Sequence, residues 1–430
     1  MTNPSSILPI TSSTNKGNIT IIGAGIIGLC SAYYLLKEGF KVTLLEQGDL
    51  INNCSSGNAG MIVPSHFVPL AAPGMISKGI KWMFDSKSPF YVKPSLNPAL
   101  ISWGLKFWKY SNQSHVDKSA EPLRDLHLLS KQLYDDLAKE PELDFGLEKK
   151  GILMLYKSQA TGEEEIHLAK KAQSLGLDVE PLTAAQTQAL EPDTALDILG
   201  SVHYRCDAHL SPSDLVQQLV AYLKKYGVEM ITNCQVTGFE TNAGKITAIK
   251  TTNETYTPDL VIMTGGSWLP ELAKKADLNI PIMPGKGYSF MVEPNGHQIH
   301  HPSLLLEARV AVTPMNGQIR FGGTMEIAPM NDKTNMNRVE GIVNSIPNYY
   351  PDYQVPIPQI DKIWYGFRPC SPDGLPYIGF TQKLKNLIIA GGHGMMGVSL
   401  APATGKLVAE LAVGSKLSVG VGIYKADRFG

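Results

Sequence analysis

Three glycines and one acid near the N-terminus have the types and the spacing that hold a dinucleotide. Gly23, Gly25 and Gly28 follow the apolar run 19–22, and Glu46 ends a second apolar run. The first glycine permits a tight turn, the second lets the backbone approach a pyrophosphate, and the third lets a helix pack on the strand. The acid is placed to accept hydrogen bonds from a ribose hydroxyl. We therefore expect dinucleotide binding, with an ordinary strand–turn–helix unit as the alternative.

Two later glycine turns follow apolar strands in the same way. The run 260–264 ends at Gly265 and Gly266, and the run 387–390 ends in the glycine-rich loop 391–397, which opens a helix. An NAD enzyme needs a single fingerprint, whereas a resident flavin must also have its isoalloxazine ring held. A loop that opens a helix is suited to direct N–H groups at that ring. The two turns favour a flavin; the alternative is that their glycines only terminate strands.

The bulk composition argues against several classes of function. The 430 residues are 43% hydrophobic and 18% charged with a net charge of −1, so no charge excess indicates a nucleic-acid partner. The five cysteines are scattered and lack a CxxC pair, which predicts reduced thiols and neither a disulfide framework nor a metal site. The polar leader 1–17 lacks the apolar core of a secretory signal, and no apolar run suggests a transmembrane helix. We expect a cytoplasmic protein.

Five stretches together resemble the FAD-dependent D-amino acid dehydrogenase and glycine oxidase family. They are the fingerprint 18–47, CSSGNAGMIVP (54–64), DLVIMTGGSW (259–268), GFRPCSPDGLPYIG (366–379) and GGHGMMGVSLAPATGKLVAEL (391–411). The segments 69–84 and 285–288 lean toward the dehydrogenase branch. The resemblance begins at the first apolar strand and continues to the C-terminus.

The resemblance implies an α/β fold with two parts. A Rossmann-like FAD-binding domain is expected from the discontinuous segments 18–75, 200–275 and 361–430. An inserted α+β substrate domain with an antiparallel sheet is expected from 76–199 and 276–360. The leader before them is expected to be flexible.

The fingerprint and the resemblance together predict the contacts of a noncovalently bound FAD. Some amine-oxidising relatives anchor their flavin on a cysteine, but the offset of Cys370 from the Pro-Asp pair does not match theirs. The expected FAD contacts are Gly23, Ala24, Gly25, Ile27, Gly28, Glu46, Gln47, Ser55, Ser56, Asn58, Ala59, Gly60, Met61, Val236, Thr264, Gly265, Gly266, Trp268, Gly392, Gly394, Met395, Met396 and Gly397.

Arg368 is the strongest candidate for holding a substrate carboxylate. It lies between an expected strand at 362–366 and the turn 371–374, where matching family members use an arginine for this purpose. A guanidinium offers a planar fork that matches a carboxylate in two parallel hydrogen bonds, and it stays charged at any working pH. The alternative is a surface arginine paired with Asp373 or Asp361.

Two further candidates, Tyr288 and His66, complete the expected catalytic set. Some family members place a tyrosine near 308–313 as a second carboxylate ligand, but this chain has alanines at 308 and 311. Tyr288 or Tyr365 could replace it, and either could instead be a packed core tyrosine. His66 follows the expected flavin loop and could face the substrate; a solvated loop histidine is the alternative.

The resemblance implies oxidative deamination of small D-amino acids, with cyclic ones such as D-proline and hydroxy-D-proline included. A hydride passes from Cα to the flavin N5, and the imine product hydrolyses in water; positioning and electrostatics carry this chemistry. The electrons are expected to reach a respiratory acceptor such as quinone. The nearest alternative is an oxygen-dependent oxidase of glycine or sarcosine that produces hydrogen peroxide. A more distant one is a flavin-binding module without turnover, against which Arg368 argues.

The segment 74–110 has the composition of a peripheral membrane contact. Its lysines outnumber its single acid, and it holds three of the chain's tryptophans. These residues are Lys78, Lys81, Lys87, Lys93, Lys106, Lys109, Asp85, Trp82, Trp103 and Trp108. Lysines interleaved with aromatic residues suit a membrane interface, here the inner face, where a quinone would be reached. The alternative is a helical lid with aromatic residues in its core. The sequence carries no prediction of the oligomeric state.

Overall fold

The computed structural model describes residues 16–75, 90–92 and 96–429. Most of the leader falls outside these residues, and so do Lys78, Lys81, Trp82, Asp85, Lys87 and Lys93. The described α-helices are α1 Ile26–Lys37, α2 Pro98–Tyr110, α3 Gln113–Leu137, α4 Gln159–Ser174, α5 Ala184–Leu190, α6 Pro212–Lys225, α7 Leu269–Lys275, α8 Met336–Ser345 and α9 Gly397–Val413. The described strands are β1 Asn18–Ile22, β2 Lys41–Leu45, β3 Met61–Ile62, β4 Phe90–Val92, β5 Ile152–Tyr156, β6 Val179–Thr183, β7 Gly200–Tyr204, β8 Ala208–His209, β9 Glu229–Ile231, β10 Val236–Asn242, β11 Lys245–Thr251, β12 Thr255–Tyr256, β13 Leu260–Met263, β14 Met283–Val292, β15 Ser303–Leu305, β16 Val310–Met315, β17 Gln318–Ile327, β18 Trp364–Cys370, β19 Tyr377–Phe380 and β20 Leu387–Gly391.

The first sheet is the parallel sheet expected of a Rossmann-like domain. Its strand order is β19-β20-β13-β1-β2-β9. β1 pairs in parallel with β2 and β13, β13 with β20, and β2 with β9, while β19 is antiparallel to β20. The parallel strands are short apolar runs, as expected for strands covered on both faces. The three glycine-turn blocks of the sequence therefore supply neighbouring strands of one sheet, as predicted.

Two glycines let helices approach the backbone around β1. A Cβ added at Gly28 would lie 2.0 Å from the carbonyl oxygen of Gly23, so the third fingerprint glycine is needed for close packing, as predicted. A Cβ added at Gly405 in α9 would lie 2.6 Å from the carbonyl carbon and oxygen of Cys30 in α1. The two helices share the core that covers β1.

The second sheet is largely antiparallel and has the order β18-β14-β17-β16-β15-β5-β7-β6, with β4 pairing on β17. Its central strands β14 and β17 are each ten residues long and almost wholly buried. A small sheet of β10, β11 and β12 and the β3–β8 pair complete the strands. This mixture of one parallel and one antiparallel sheet confirms the expected fold class.

The structure places three elements differently from the expected domain boundaries. β7 and β18 belong to the second sheet, although they begin the segments 200–275 and 361–430 that were expected in the FAD-binding domain. Conversely, α3 from 76–199 packs on α9, where the Tyr134 hydroxyl donates to the Val398 carbonyl. Apolar patterns identify strands and helices but not their long-range partners, so boundaries drawn from sequence miss such exchanges.

One described helix is apolar and long enough to cross a membrane by length and composition. It spans Gly394–Val413, has a mean hydropathy of 1.2, and is 72% buried inside the protein. The expectation that no such run exists was therefore wrong on length and composition. The segment is α9 with its preceding turn, and its apolar faces pack against α1 and α3 rather than lipid.

The contact between α1 and α9 leads to a stability prediction. We expect Gly405→Ala to lower the free energy of unfolding by about 1–3 kcal/mol, because the added methyl group forces two backbones apart. The matched control is Gly104→Ala in α2, where no atom lies within 4 Å of the added Cβ. That change is expected to be neutral or to stabilise by about 0.5–1 kcal/mol. Equal denaturant midpoints for the two variants would contradict the packing argument.

Candidate active site

A cavity of about 1020 Å³ is lined by residues of both sheets. It collects the ends of β1, β2 and β13, the loop after β2, and the turn between β20 and α9. The expected FAD contacts that line it are Gly23, Gly25, Ile27, Glu46, Gln47, Ser55, Ser56, Asn58, Ala59, Met61, Val236, Thr264, Gly265, Gly266, Trp268, Gly394, Met395, Met396 and Gly397. The sequence therefore identified most of one continuous surface.

The backbone around the first turn leaves room for a pyrophosphate. A Cβ added at Gly25 would have only the Ser55 hydroxyl nearby, at 3.8 Å, so the space above this glycine is open. Gly23 has a φ of 109°, which favours glycine. The N–H group of Ile26 at the start of α1 donates to the Ser55 hydroxyl at 3.1 Å. Open space over a glycine turn at a helix N-terminus fits the phosphates of FAD.

Glu46 stands at the end of β2 with its carboxylate against the same turn. One carboxylate oxygen accepts from the N–H of Ala24 at 2.7 Å, and the other accepts from the N–H of Gly48 at 2.9 Å. The side chain is thus held at the cavity wall, where the sequence placed a ribose-binding acid. Ala24 contacts Glu46 through its backbone and does not itself line the cavity.

Three glycines expected to contact FAD shape the backbone behind the cavity and do not line it. Gly28 packs on Gly23, as described above. Gly60 has a φ of 75°, and a Cβ there would lie 2.1 Å from the Leu210 carbonyl oxygen. Gly392 has a φ of 74°, and its Cβ would meet the ring of Tyr377 at 2.6 Å. For these three glycines and Ala24 the structure shows a role in shaping the backbone, and their contact with FAD stays a prediction.

A buried arginine that the sequence analysis missed holds the loop after β2. The Nη1 of Arg320 donates to the carbonyl oxygens of Ser56 at 3.1 Å and Asn58 at 2.6 Å. Burial lowers the pKa of Arg320 to about 10, so the guanidinium remains charged at neutral pH. The Ser289 hydroxyl donates to the Gly57 carbonyl at 2.8 Å and so provides a further hydrogen bond from the second sheet to this loop. The available signal was a single basic residue inside the strand-like run 318–327.

The turn before α9 is held from behind by two buried histidines. The His393 Nε2 lies 2.9 Å from the Thr404 hydroxyl, and burial lowers its pKa to about 3. The His127 Nε2 lies 3.3 Å from the Met396 sulfur, and burial lowers its pKa to about 3 as well. Both imidazoles are therefore neutral at physiological pH. Gly394 between them has open space above its Cα.

Arg368 lies inside β18 rather than after a strand, so the expected strand 362–366 was placed too early. Its Nη1 donates to the Thr324 carbonyl at 2.6 Å, and the guanidinium lies directly over Gly287. Asp373 pairs with Arg428 at 2.7 Å, so the alternative of an Arg368–Asp373 pair is wrong. Among the described residues Arg368 forms no salt bridge, and its side chain lines the cavity. Burial lowers its pKa from the usual value.

The hydroxyl groups of both tyrosine candidates are already engaged. The Tyr288 hydroxyl donates to Glu326 at 2.7 Å and accepts from the Asn335 N–H at 3.2 Å. Tyr365 donates to Asp332 at 3.3 Å. Both rings line the cavity, but neither hydroxyl is free to bind a carboxylate in this arrangement.

Arg309 and His66 form a second polar part of the cavity wall. Arg309 has a φ of 55° in the turn before β16, within the region where the sequence lacks the family tyrosine, and the sequence analysis did not single it out. His66 is half-buried, and its Nδ1 lies 3.0 Å from the Ser65 hydroxyl. Burial and then the charge of Arg309 lower the pKa of His66 to about 4. His66 therefore lies half-buried in the cavity wall, and its role in the site stays a prediction.

With this geometry established, the comparison with known proteins decides the family. Residues 18–411 match the model of the family described as FAD dependent oxidoreductase (DAO). The chain belongs to this family. It is an FAD-dependent oxidoreductase, and the open glycine turns described above fit that cofactor.

Curated relatives and solved structures agree with the family. The chain is 30% identical over 399 residues to a D-amino acid dehydrogenase of Helicobacter pylori, covering 92% of this chain and 95% of the relative. It is 29% identical to a D-amino acid dehydrogenase of Granulibacter bethesdensis, covering 93% and 97%. Glycine oxidase from Geobacillus kaustophilus shares the fold with a TM-score of 0.77 and 21% identity, covering 96% of this chain and 100% of that one. L-proline dehydrogenase from P. horikoshii has a TM-score of 0.74 at 20% identity, covering 96% and 98%.

The role of Arg320 leads to a prediction about cofactor retention. We expect Arg320→Met to raise the dissociation constant for FAD about tenfold or more, because two carbonyls of the loop lose hydrogen bonds to a charged donor. The measurement is fluorescence titration of the apoprotein with FAD. Arg205→Met, which removes an exposed arginine, serves as the matched control and should bind FAD normally. An unchanged dissociation constant for FAD in Arg320→Met would show that FAD binding does not depend on these two hydrogen bonds.

Proposed function

We propose that this enzyme oxidatively deaminates small D-amino acids, including cyclic ones such as D-proline and hydroxy-D-proline. The observation that carries the proposal is Arg368, a guanidinium that lines the FAD cavity without an acidic partner among the described residues. A carboxylate is the ligand that completes its hydrogen bonding. The names of the curated relatives support the D-amino acid class.

The chain's own residues would bind and orient the substrate around this arginine. Arg368 holds the carboxylate, and Arg309 supplies a second cation on the cavity wall, in place of the tyrosine found in some family members. Ala311 and Gly322 face each other across β16 and β17, and their small side chains leave space for a pyrrolidine ring. FAD, when bound, accepts the hydride that leaves the substrate Cα.

FAD is proposed to be held noncovalently. Cys370 is fully buried and contacts the Met325 sulfur, and it does not line the cavity. Cys54 does line the cavity, but burial raises the pKa of its thiol and therefore disfavours the reactive thiolate. Its sulfur already accepts a hydrogen bond from the Phe367 N–H at 3.4 Å.

The electron acceptor is proposed to be a membrane quinone, reached at the inner face of the membrane. Helix α2 supports a peripheral contact, because Leu105 is 63% and Trp108 is 69% exposed beside Lys106 and Lys109. Apolar side chains flanked by lysines suit an anionic lipid surface. Trp103, which the sequence analysis grouped with them, is instead a core residue whose indole N–H donates to the Cys370 carbonyl at 2.9 Å.

The direct test is an anaerobic spectral titration of the holoenzyme. The panel contains D-alanine, D-proline, hydroxy-D-proline, glycine and sarcosine, with L-enantiomers as controls. Bleaching of the flavin band by a D-amino acid is the expected result, followed by slow recolouring in air and fast recolouring with a quinone. Rapid recolouring in air with peroxide would instead indicate the glycine or sarcosine oxidase. No bleaching by any compound on the panel would contradict the proposed function.

Replacing the carboxylate-binding arginine gives a sharp prediction. We expect Arg368→Ala to raise KM about 100-fold or more, since charged hydrogen bonds to the carboxylate are lost. The FAD content should stay unchanged. Arg368→Lys keeps the positive charge but loses the planar pair of donors, so its KM should lie between those of the wild type and Arg368→Ala. Arg205→Ala should have the KM of the wild type. A normal KM in Arg368→Ala would remove Arg368 from the substrate site.

The exposed face of α2 gives a prediction about lipid binding. We expect Leu105→Glu with Trp108→Glu to abolish cosedimentation with anionic phospholipid vesicles, because the two exposed apolar side chains that would insert into the lipid are replaced by anions. The control is Leu199→Glu, which changes an exposed leucine elsewhere on the surface. If the double variant binds vesicles as well as this control, α2 is not the membrane contact.

A further inference from the structure

A buried carboxylate lies directly behind the histidine of the cavity wall. Asp207, in the turn between β7 and β8, is 0% exposed and accepts from the Ser65 hydroxyl at 2.6 Å and the Ser65 N–H at 3.0 Å. Among the described residues it forms no salt bridge, because the nearby Lys131 donates to the Cys206 carbonyl. A buried carboxylate without an ion partner is costly, so its presence needs an explanation.

The hydrogen-bond directions fix which nitrogen of His66 can accept a proton. The Ser65 hydroxyl has one proton, and its short contact with Asp207 uses that proton when the carboxylate is ionised. The 3.0 Å contact between Ser65 and His66 Nδ1 then requires the Nδ1–H to donate. The lone pair of the neutral imidazole is therefore on Nε2, at the ring edge opposite Ser65.

His66 also lies at the substrate end of the cavity. Its charge neighbour Arg309 precedes β16, where Val310 pairs with Gly323 of β17. The next residue of β17, Thr324, accepts the hydrogen bond from Arg368. Arg309, His66 and Arg368 all line the same cavity. A substrate held by Arg368 therefore lies in the cavity whose wall also carries His66.

We propose that His66 is the base that deprotonates the substrate ammonium group, and that Asp207 acts through Ser65 as the positioning residue that sets its tautomer and stabilises its charged form. This inference rests on the proposed function. In the step, one N–H bond of the ammonium breaks, its electron pair stays on the amine, and the proton bonds to His66 Nε2. The freed electron pair is then available to form the C=N bond of an iminium product when Cα loses a hydride, which FAD, when bound, would accept.

The charges around His66 determine how this base depends on pH. Arg309 opposes the imidazolium, while His127 on α3 is neutral and adds no charge at working pH. Asp207 favours the imidazolium through Ser65; Cys206, 3.5 Å from Asp207, is a protonated thiol, and Lys131 is the cation nearest to this carboxylate. Burial raises the pKa of Asp207 to about 7. The carboxylate that sets the Nδ1–H tautomer of His66 is therefore present above this pH and lost as the pH falls through it.

The test compares the pH profiles of the anaerobic reduction rate in holoenzymes. The wild type should show an acidic limb near pH 7, whereas His66→Gln should be about 100-fold slower, with the limb moved up to the pKa of the substrate's own ammonium group. Asp207→Asn should lower kcat similarly with little change in KM. The double variant with His66→Gln and Asp207→Asn should be no slower than His66→Gln alone. Asp178→Asn, an exposed acid, is the control that should match wild type. Normal rates and profiles in His66→Gln or Asp207→Asn would overturn the relay while the proposed function stands.

A second readout does not use activity and is made on the wild-type protein. Nitrogen-15 NMR of the histidines in the wild-type protein, with the His66 signal assigned from its loss in His66→Gln, should show a neutral Nδ1–H tautomer. An Nε2–H tautomer would overturn the proposal. A wild-type enzyme that oxidises nothing on the amino-acid panel would overturn the relay together with the proposed function.

Discussion

Parallel pairing of four strands is the constraint on which the site depends. Because β20, β13, β1 and β2 run in the same direction, their carboxyl ends meet at one edge of the first sheet. The turns that follow them come from parts of the chain more than 300 residues apart, yet they line one cavity. Ligands of open α/β sheets bind at this edge. The glycines there matter because the backbone itself must approach the cofactor.

The second sheet and its turns contribute charged side chains that lie in the cavity wall or are buried behind it. Arg368 and Arg309 line the cavity without salt bridges among the described residues, while the acid Asp207 lies buried behind the wall. Removing such groups from water is costly unless a partner arrives. In the proposed function, the substrate carboxylate provides that partner for Arg368, and the amino group faces the side of the cavity that carries His66. Selectivity and catalysis then draw on the same electrostatic arrangement.

The sequence predicted those parts of the site that depend on neighbouring residues in the chain. The turn at Gly23–Gly28, the acid at Glu46 and the turn before α9 were identified because strand, turn and helix follow one another locally. Arg320 and Arg309 were missed because their roles arise from strand pairing between distant segments. The link from Ser65 to Asp207 joins residues 142 positions apart, which no local pattern reveals. For the same reason the segments that begin with β7 and β18 were expected in the FAD-binding domain, although both strands pair in the second sheet.

The position of α2 joins the substrate site to the exposed apolar surface. One face of this helix packs Trp103 against Met325 and Cys370, next to the strand that carries Arg368, while Leu105 and Trp108 face outward. A displacement of α2 would therefore be transmitted to β18, the strand that carries Arg368. Since packed interiors transmit small displacements, the proposed lipid contact of α2 and the proposed substrate binding at Arg368 are expected to be coupled.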